Sequence, residues 1–111
     1  MKVSVVITVK NEADTIESLL QSLRAQTKKP DEIIVVDAGS TDDTSKIVKR
    51  YSITYRVCDR GTNRAKGRNF GIRASRNKII AVTDAGCRAD QHWLERLTKP
   101  FKDKQVLSVA G

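Results

Sequence analysis

The apolar positions of this chain come in two kinds of run. VSVVITV (3–9), EIIVV (32–36) and KIIAVT (78–83) are rich in β-branched residues and lack polar alternation, the pattern of strands buried on both faces. Between the first two lies KNEADTIESLLQSLRAQ (10–26), where Ala13, Ile16, Leu19, Leu20 and Leu23 fall at helical spacing and form one stripe. Asn11 is placed to cap that helix, and Glu12 and Asp14 suit the positive end of its dipole. Pro30 marks a loop. DAGSTDDT then opens a second helix, with Ser40 and Asp43 at capping-box spacing and Asp in place of the usual Glu. ITYRVC (53–58) is a third strand that carries Arg56. The segment 62–76 reads as a helix with a narrow stripe made of Asn63, Gly67, Phe70, Gly71 and Ala74. Its two interior glycines each weaken a helix by about 1 kcal/mol relative to alanine, and they permit close approach to a sheet or a ligand. Asp90 is placed to cap a fourth helix with Trp93, Leu94, Leu97 and Phe101 on its apolar face, and QVLSVA (105–110) completes a set of five strands.

Strand and helix alternate with short connections. That order predicts an α/β fold, a three-layer α/β/α arrangement around a mostly parallel sheet, with one domain over 1–111. The 111 residues suffice for a core without disulfide staples. Two cysteines, Cys58 and Cys87, with no CxxC, and a single histidine, His92, argue for reduced thiols and against zinc. No run approaches the ~18 apolar residues of a membrane span. The start MKVSVVITV does not resemble a signal peptide, so a cytoplasmic location is expected.

Charge adds a direction. The net charge is +8, and Arg56–Lys78 holds eight bases against one acid, Asp59. A segment so basic suits a polyanionic partner: phosphate, nucleic acid or an anionic membrane surface. The chain has few aromatics, and Phe70, the one within the run 62–76, lies on the stripe expected to be buried. A base-stacking nucleic-acid platform is therefore disfavoured. A phosphoacceptor receiver domain is disfavoured by Asn11 and Glu12 where a pair of acids is needed.

In a parallel sheet, the loops leaving the carboxyl ends of the strands share one edge, where such folds bind ligands. Here those loops bring Glu12, Asp37, Asp59 and Asp84 together with Lys10, Arg60 and Arg88. Carboxylates accept hydrogen bonds from hydroxyls and coordinate hard cations. There is no Walker loop and no GxGxxG fingerprint. The first two helices begin with acids, which repel phosphate, whereas the third begins NRAKGRN. A diphosphate is therefore expected beside the third helix, with base and ribose across the first two loops.

ITVKNE, VVDAGSTDDT, NRAKGRNFGI and IIAVTDAGC, in this order, resemble the nucleotide-binding half of family 2 inverting glycosyltransferases of the GT-A fold. The resemblance implies a nucleoside-diphosphate sugar as ligand. It assigns the nucleoside to Thr8, Val9, Asn11, Glu12, Asp37, Gly39 and Ser40, and the diphosphate to Arg64, Lys66, Arg68 and Asn69. The family's DxD motif falls on Asp84, Ala85 and Gly86, with Asp84 by the ribose and as the one acid left for a Mg²⁺ or Mn²⁺ ion. Three positions depart from the pattern. Gly86 replaces the usual metal-ligating acid, Ala38 replaces an acid that often contacts the base, and Lys10 stands where an aromatic often stacks. Weak or absent metal dependence follows as an expectation. The family's acceptor-binding region and catalytic base correspond to positions beyond Gly111, so little transfer by this chain alone is expected, as is pairing of an uncovered sheet edge into a homodimer. The other reading of the same residues is a non-catalytic nucleotide-binding or interaction module.

Overall fold

A computed structural model describes residues 2–58, 64–86 and 89–99. Strand β1 (Val3–Val9) is the centre of the sheet. It pairs in parallel with β2 (Glu32–Asp37) on one side and with β4 (Ile79–Asp84) on the other, and β3 (Thr54–Val57) extends the sheet beyond β2. The order is β3-β2-β1-β4, and every pairing is parallel. A strand so placed has no solvent face, which is why VSVVITV shows no alternation.

Successive side chains still point to opposite faces. Val3, Val5, Ile7 and Val9 meet α1 (Ile16–Arg24), α2 (Thr44–Val48) and α4 (Trp93–Thr98) through Leu19, Leu20, Leu23, Val48 and Leu94. Val6, Ile34, Val36, Ile80 and Val82 face the other way, against Ile72 and Ala74 of α3 (Arg64–Ala74). Each fully buried Leu or Ile contributes about 1.5–3 kcal/mol over its exposed state. The expected three-layer α/β fold with a parallel sheet is what forms. Among the described residues, no helix is long and apolar enough to cross a membrane.

Helix α3 lies closest to the sheet. A Cβ built on Gly67 sits 3.3 Å from Thr8 Cγ2. One built on Gly71 falls inside contact distance of Val6 Cγ1 and 3.1 Å from Val36 Cγ2. These glycines are therefore spacers that let the helix backbone rest on two valines.

Several local expectations are corrected. Helix α1 begins at Ile16 with Thr15 at its N-cap, so Asn11 does not cap it. Asn11 has φ 53°, a left-handed conformation that asparagine tolerates, and serves another loop. The Ser40–Asp43 capping box does not form: Asp43 makes no capping bond, and Ser40 Oγ accepts from the Asn11 N–H. Phe70 is not on the buried stripe but is 40% exposed. Asp90 does accept from the His92 N–H at the start of α4, but it is Gln26, buried at the end of α1, that receives the Leu94 N–H. Asn63, Phe101, the expected strand 105–110, and Asp59, Arg60, Cys87 and Arg88 lie outside the described residues.

Candidate functional site

Because all four strands run the same way, their carboxyl ends form one rim. In register, Thr8 stands level with Val36 and Asp84, and Val9 with Asp37. Two of the loops that leave this rim are fastened to each other. The Asn11 side-chain carbonyl accepts from the Thr41 N–H at 2.8 Å and the Asp42 N–H at 3.3 Å, while its own N–H reaches Ser40 Oγ at 2.8 Å. The Glu12 N–H donates to Thr44 Oγ1 at 2.9 Å, and the Ala13 N–H to Asp42 Oδ2 at 3.2 Å. The hydroxyl and N–H of Thr44 also donate to Asp42, and with these bonds, the hydroxyl first, the Asp42 carboxyl lies below its ordinary value. Asn11, Glu12, Gly39 and Ser40 thus belong to one double loop.

Asp37 lies beneath that double loop rather than on its surface. It is 1% exposed. Oδ1 accepts from the Gly39 and Ser40 N–H groups at 3.0 and 2.7 Å, and Oδ2 accepts from the Tyr55 hydroxyl at 2.7 Å. Gly39, at φ 91°, supplies the left-handed turn that aims those N–H groups back at the carboxylate. Burial, and then the bond to Asp37, raises the Tyr55 phenol well above its ordinary value. A carboxylate held by three donors is a structural anchor, so in this geometry Asp37 shapes the loop that carries Gly39 and Ser40. Tyr55 was not singled out from the sequence. In-register pairing would have revealed it, since Tyr55 pairs with Val35 and therefore shares the face of Asp37.

The second half of the rim joins β1, β4 and α3. Asp84 Oδ1 accepts from Thr8 Oγ1 at 3.4 Å and lies 3.5 Å from Arg68 Nη2. Both charged side chains are about one-third exposed, at 32% and 28%. Arg68 Nε is buried and has no hydrogen-bond partner among the described residues. A hydroxyl, a carboxylate and a guanidinium thus meet at one edge, beside buried Ala85 and exposed Gly86. Arg64 opens α3. Lys66 and Asn69 are exposed, and helical spacing puts them on a different flank of α3 from Arg68. An open groove lined by Lys2, Glu32, Thr54, Arg76 and Asn77 lies at the opposite, amino ends of the strands, far from this chemistry.

The donors present do not fit a metal held by paired carboxylates. Gly86 supplies no ligand, and the Asp84 oxygen is shared with a hydroxyl and a guanidinium. Among the described residues, no three His, Cys, Asp or Glu side chains cluster as ligands.

Known proteins resemble this chain in sequence and fold. Glycosyltransferase AglE of Haloferax volcanii is 39% identical over 116 residues, covering 98% of this chain and 38% of AglE. TarS of S. aureus, crystallised in complex with UDP, superposes with a TM-score of 0.73 at 29% identity, over 89% of this chain and 31% of that one. The mannosyltransferase PcManGT of Pyrobaculum calidifontis, in complex with GDP-Man and Mn²⁺, gives a TM-score of 0.77 at 28% identity, over 92% of this chain and 32% of that one. The chain therefore spans between 31% and 38% of the length of these three proteins. The sequence profile described as Glycosyl transferase family 2 matches residues 4–111. With four parallel strands laid out as in the GT-A neighbours and a match over nearly its whole length, the chain belongs to glycosyl transferase family 2.

Proposed function

We propose that this chain grips the nucleoside-diphosphate part of a sugar nucleotide, for transfer of the sugar to an acceptor hydroxyl with inversion, in the cytoplasm. One observation carries the reading: Thr8, Asp84 and Arg68, from three separate elements, meet on the strand-end rim. A charged acceptor such as the Asp84 carboxylate, hydrogen-bonded to a ribose hydroxyl, is worth about 1.5–3 kcal/mol. Arg68 offers a fork of N–H donors to phosphate oxygens. Its buried Nε has no acceptor among the described residues, a state that ligand binding beside it can relieve. The fastened double loop, with Asn11, Glu12, Gly39 and Ser40, forms the side of the rim for base and ribose. Relatives crystallised with UDP and with GDP-Man support the ligand class.

The diphosphate is neutralised by α3 cations, with weak or absent dependence on a divalent ion, since Gly86 contributes no carboxylate. Inversion further requires a general base to take the proton of the attacking hydroxyl. That role is not assigned to Asp84, which is engaged by Thr8 and Arg68.

Thermal unfolding in the presence of UDP, GDP and CDP tests the proposal. A ligand at ~100 times its Kd stabilises by about 2.7 kcal/mol. At least one of the three is expected to raise the Tm, and Arg68→Ala or Asp84→Ala to abolish the rise. A Tm indifferent to all three nucleotides refutes the reading.

A further inference from the structure

The nucleotide reading uses only one flank of α3. Arg68 turns toward β4, where it meets Asp84. Residues 66, 69, 70 and 73 fall on the other flank at helical spacing, over the β2–β3 side of the sheet. Lys66, Asn69, Phe70 and Arg73 are all exposed. Arg56 of β3 pairs in register with Val36, whose side chain faces α3, so Arg56 emerges on the same side, also exposed. Exposed Arg76 continues the series past the end of the helix, its N–H on Glu32 of β2.

Among the described residues, acids are few there. Glu32 lies on this face at its lower edge, with Oε1 accepting from Ser4 Oγ at 2.8 Å and from the Arg76 N–H at 2.9 Å. Most other described carboxylates (Glu12, Glu17, Asp42, Asp43, Asp90 and Glu95) belong to the opposite helical layer and its loops. Asp84 lies on the same face but across the helix, beside Arg68, so among the described residues Arg56, Lys66, Arg73 and Arg76 share this flank with Glu32, and within them stands Phe70, an aromatic ring 40% exposed. A single exposed phenyl is ordinary on a solvated face, but set among these cations it suits an interface that is anionic outside and apolar within.

From this placement we infer that the α3 flank formed by Arg56, Lys66, Phe70, Arg73 and Arg76 docks on an anionic lipid surface. Phosphate headgroups meet the cations, and Phe70 enters the headgroup boundary. Nucleic acid suits the flank less well, because one aromatic offers one stacking platform and none beside it. Docking in this pose leaves the rim of β1 and β4 at the side of the helix, open to nucleotide while the surface is engaged.

Vesicle co-sedimentation tests the inference. The chain is expected to pellet with phosphatidylcholine–phosphatidylglycerol vesicles but not with phosphatidylcholine alone, and to be released as salt shortens the screening length. Each basic residue near such a surface contributes about fivefold in partition. The double variant Arg56→Ala/Arg73→Ala should therefore bind about 25-fold more weakly, and Phe70→Ser should bind more weakly with an unchanged salt slope. All three positions are exposed, and circular dichroism checks that the variants fold. The rise in Tm with UDP or GDP should survive in them, which separates this surface from the nucleotide rim. Equal pelleting with neutral vesicles, absence of pelleting by the folded chain, or tighter binding to a single-stranded RNA oligonucleotide than to the anionic vesicles at the same salt would each overturn it.

Discussion

The two glycines of α3 allow an internally controlled experiment. Alanine in place of either improves helix propensity by about 0.8–1.0 kcal/mol. What opposes that gain differs by position. At Gly71 the new methyl group enters contact distance of Val6 Cγ1 and lies 3.1 Å from Val36 Cγ2. Those valines are 0% and 1% exposed and belong to the sheet, so they cannot swing away. Overpacking of this kind costs about 1–3 kcal/mol, leaving Gly71→Ala roughly 0–2 kcal/mol less stable than the parent. At Gly67 the methyl lies 3.3 Å from Thr8 Cγ2 and 3.9 Å from Val36 Cγ1, a gap that a few tenths of an ångström of adjustment relieves. Gly67→Ala should be close to neutral, or stabilising by up to about 1 kcal/mol. Urea and thermal unfolding followed by circular dichroism measure the difference, each kcal/mol appearing as about 4–8 °C in Tm. Lifting α3 also draws Arg68 from Asp84, so Gly71→Ala should lose nucleotide affinity as well. If Gly71→Ala proves more stable than Gly67→Ala, the close seating of α3 on the sheet is wrong.

Three further outcomes are expected. Tyr55→Phe leaves Asp37 Oδ2 without its buried donor and should cost about 1–3 kcal/mol in urea unfolding; an unchanged midpoint would show that the loop does not need that bond. Tyr55 and Tyr51 are both shifted up, by burial first and then by bonds to Asp37 and Glu17. The folded chain therefore keeps phenolic protons that the unfolded chain releases, so the tyrosines' contribution to stability is constant below the unfolded value of 10.0 and falls as pH rises beyond it. Unfolding midpoints from neutral pH to about pH 11 check this, and Tyr55→Phe should flatten the decline. Finally, UDP or GDP binding should be indifferent to EDTA in the parent, whereas Gly86→Asp, at a position where a Cβ meets nothing within 4 Å, should acquire a response to Mn²⁺. Calorimetric titration with and without the ion decides it, and a parent that binds only with Mn²⁺ would contradict the assignment of the diphosphate to α3 cations.

The strands were legible because burial on both faces leaves a mark that depends little on context. VSVVITV, EIIVV and KIIAVT each formed where the pattern put them, to within a residue at either end. Their shared direction followed from alternation with helices, and with it the rim on which Thr8 and Asp84 meet. Loop bonding was not legible. Asn11 has the composition of a helix cap, yet its carbonyl has better-placed donors across the gap at Thr41 and Asp42, and only the three-dimensional pairing of β1 with β2 brings them near. The bond that Asp37 receives from Tyr55, eighteen residues on, was not legible either, because nothing in the string says that the two meet. Phe70 read as core because it shares spacing with Gly67 and Gly71. The helix rests so close to the sheet at those two glycines that a ring beside them has no room inward, and it turns out.

Strand β1 precedes the other three described strands in the chain and lies between β2 and β4. Its partners come later: β2 after a helical crossover, and β4 only once Ile79–Asp84 has left the ribosome. Until then one long side of an almost wholly apolar ribbon has nothing to pair with. Translation of this polypeptide thus passes through a stage in which an apolar segment waits on a distant partner, and a chaperone that shields Val3–Val9 until then would protect the nascent chain.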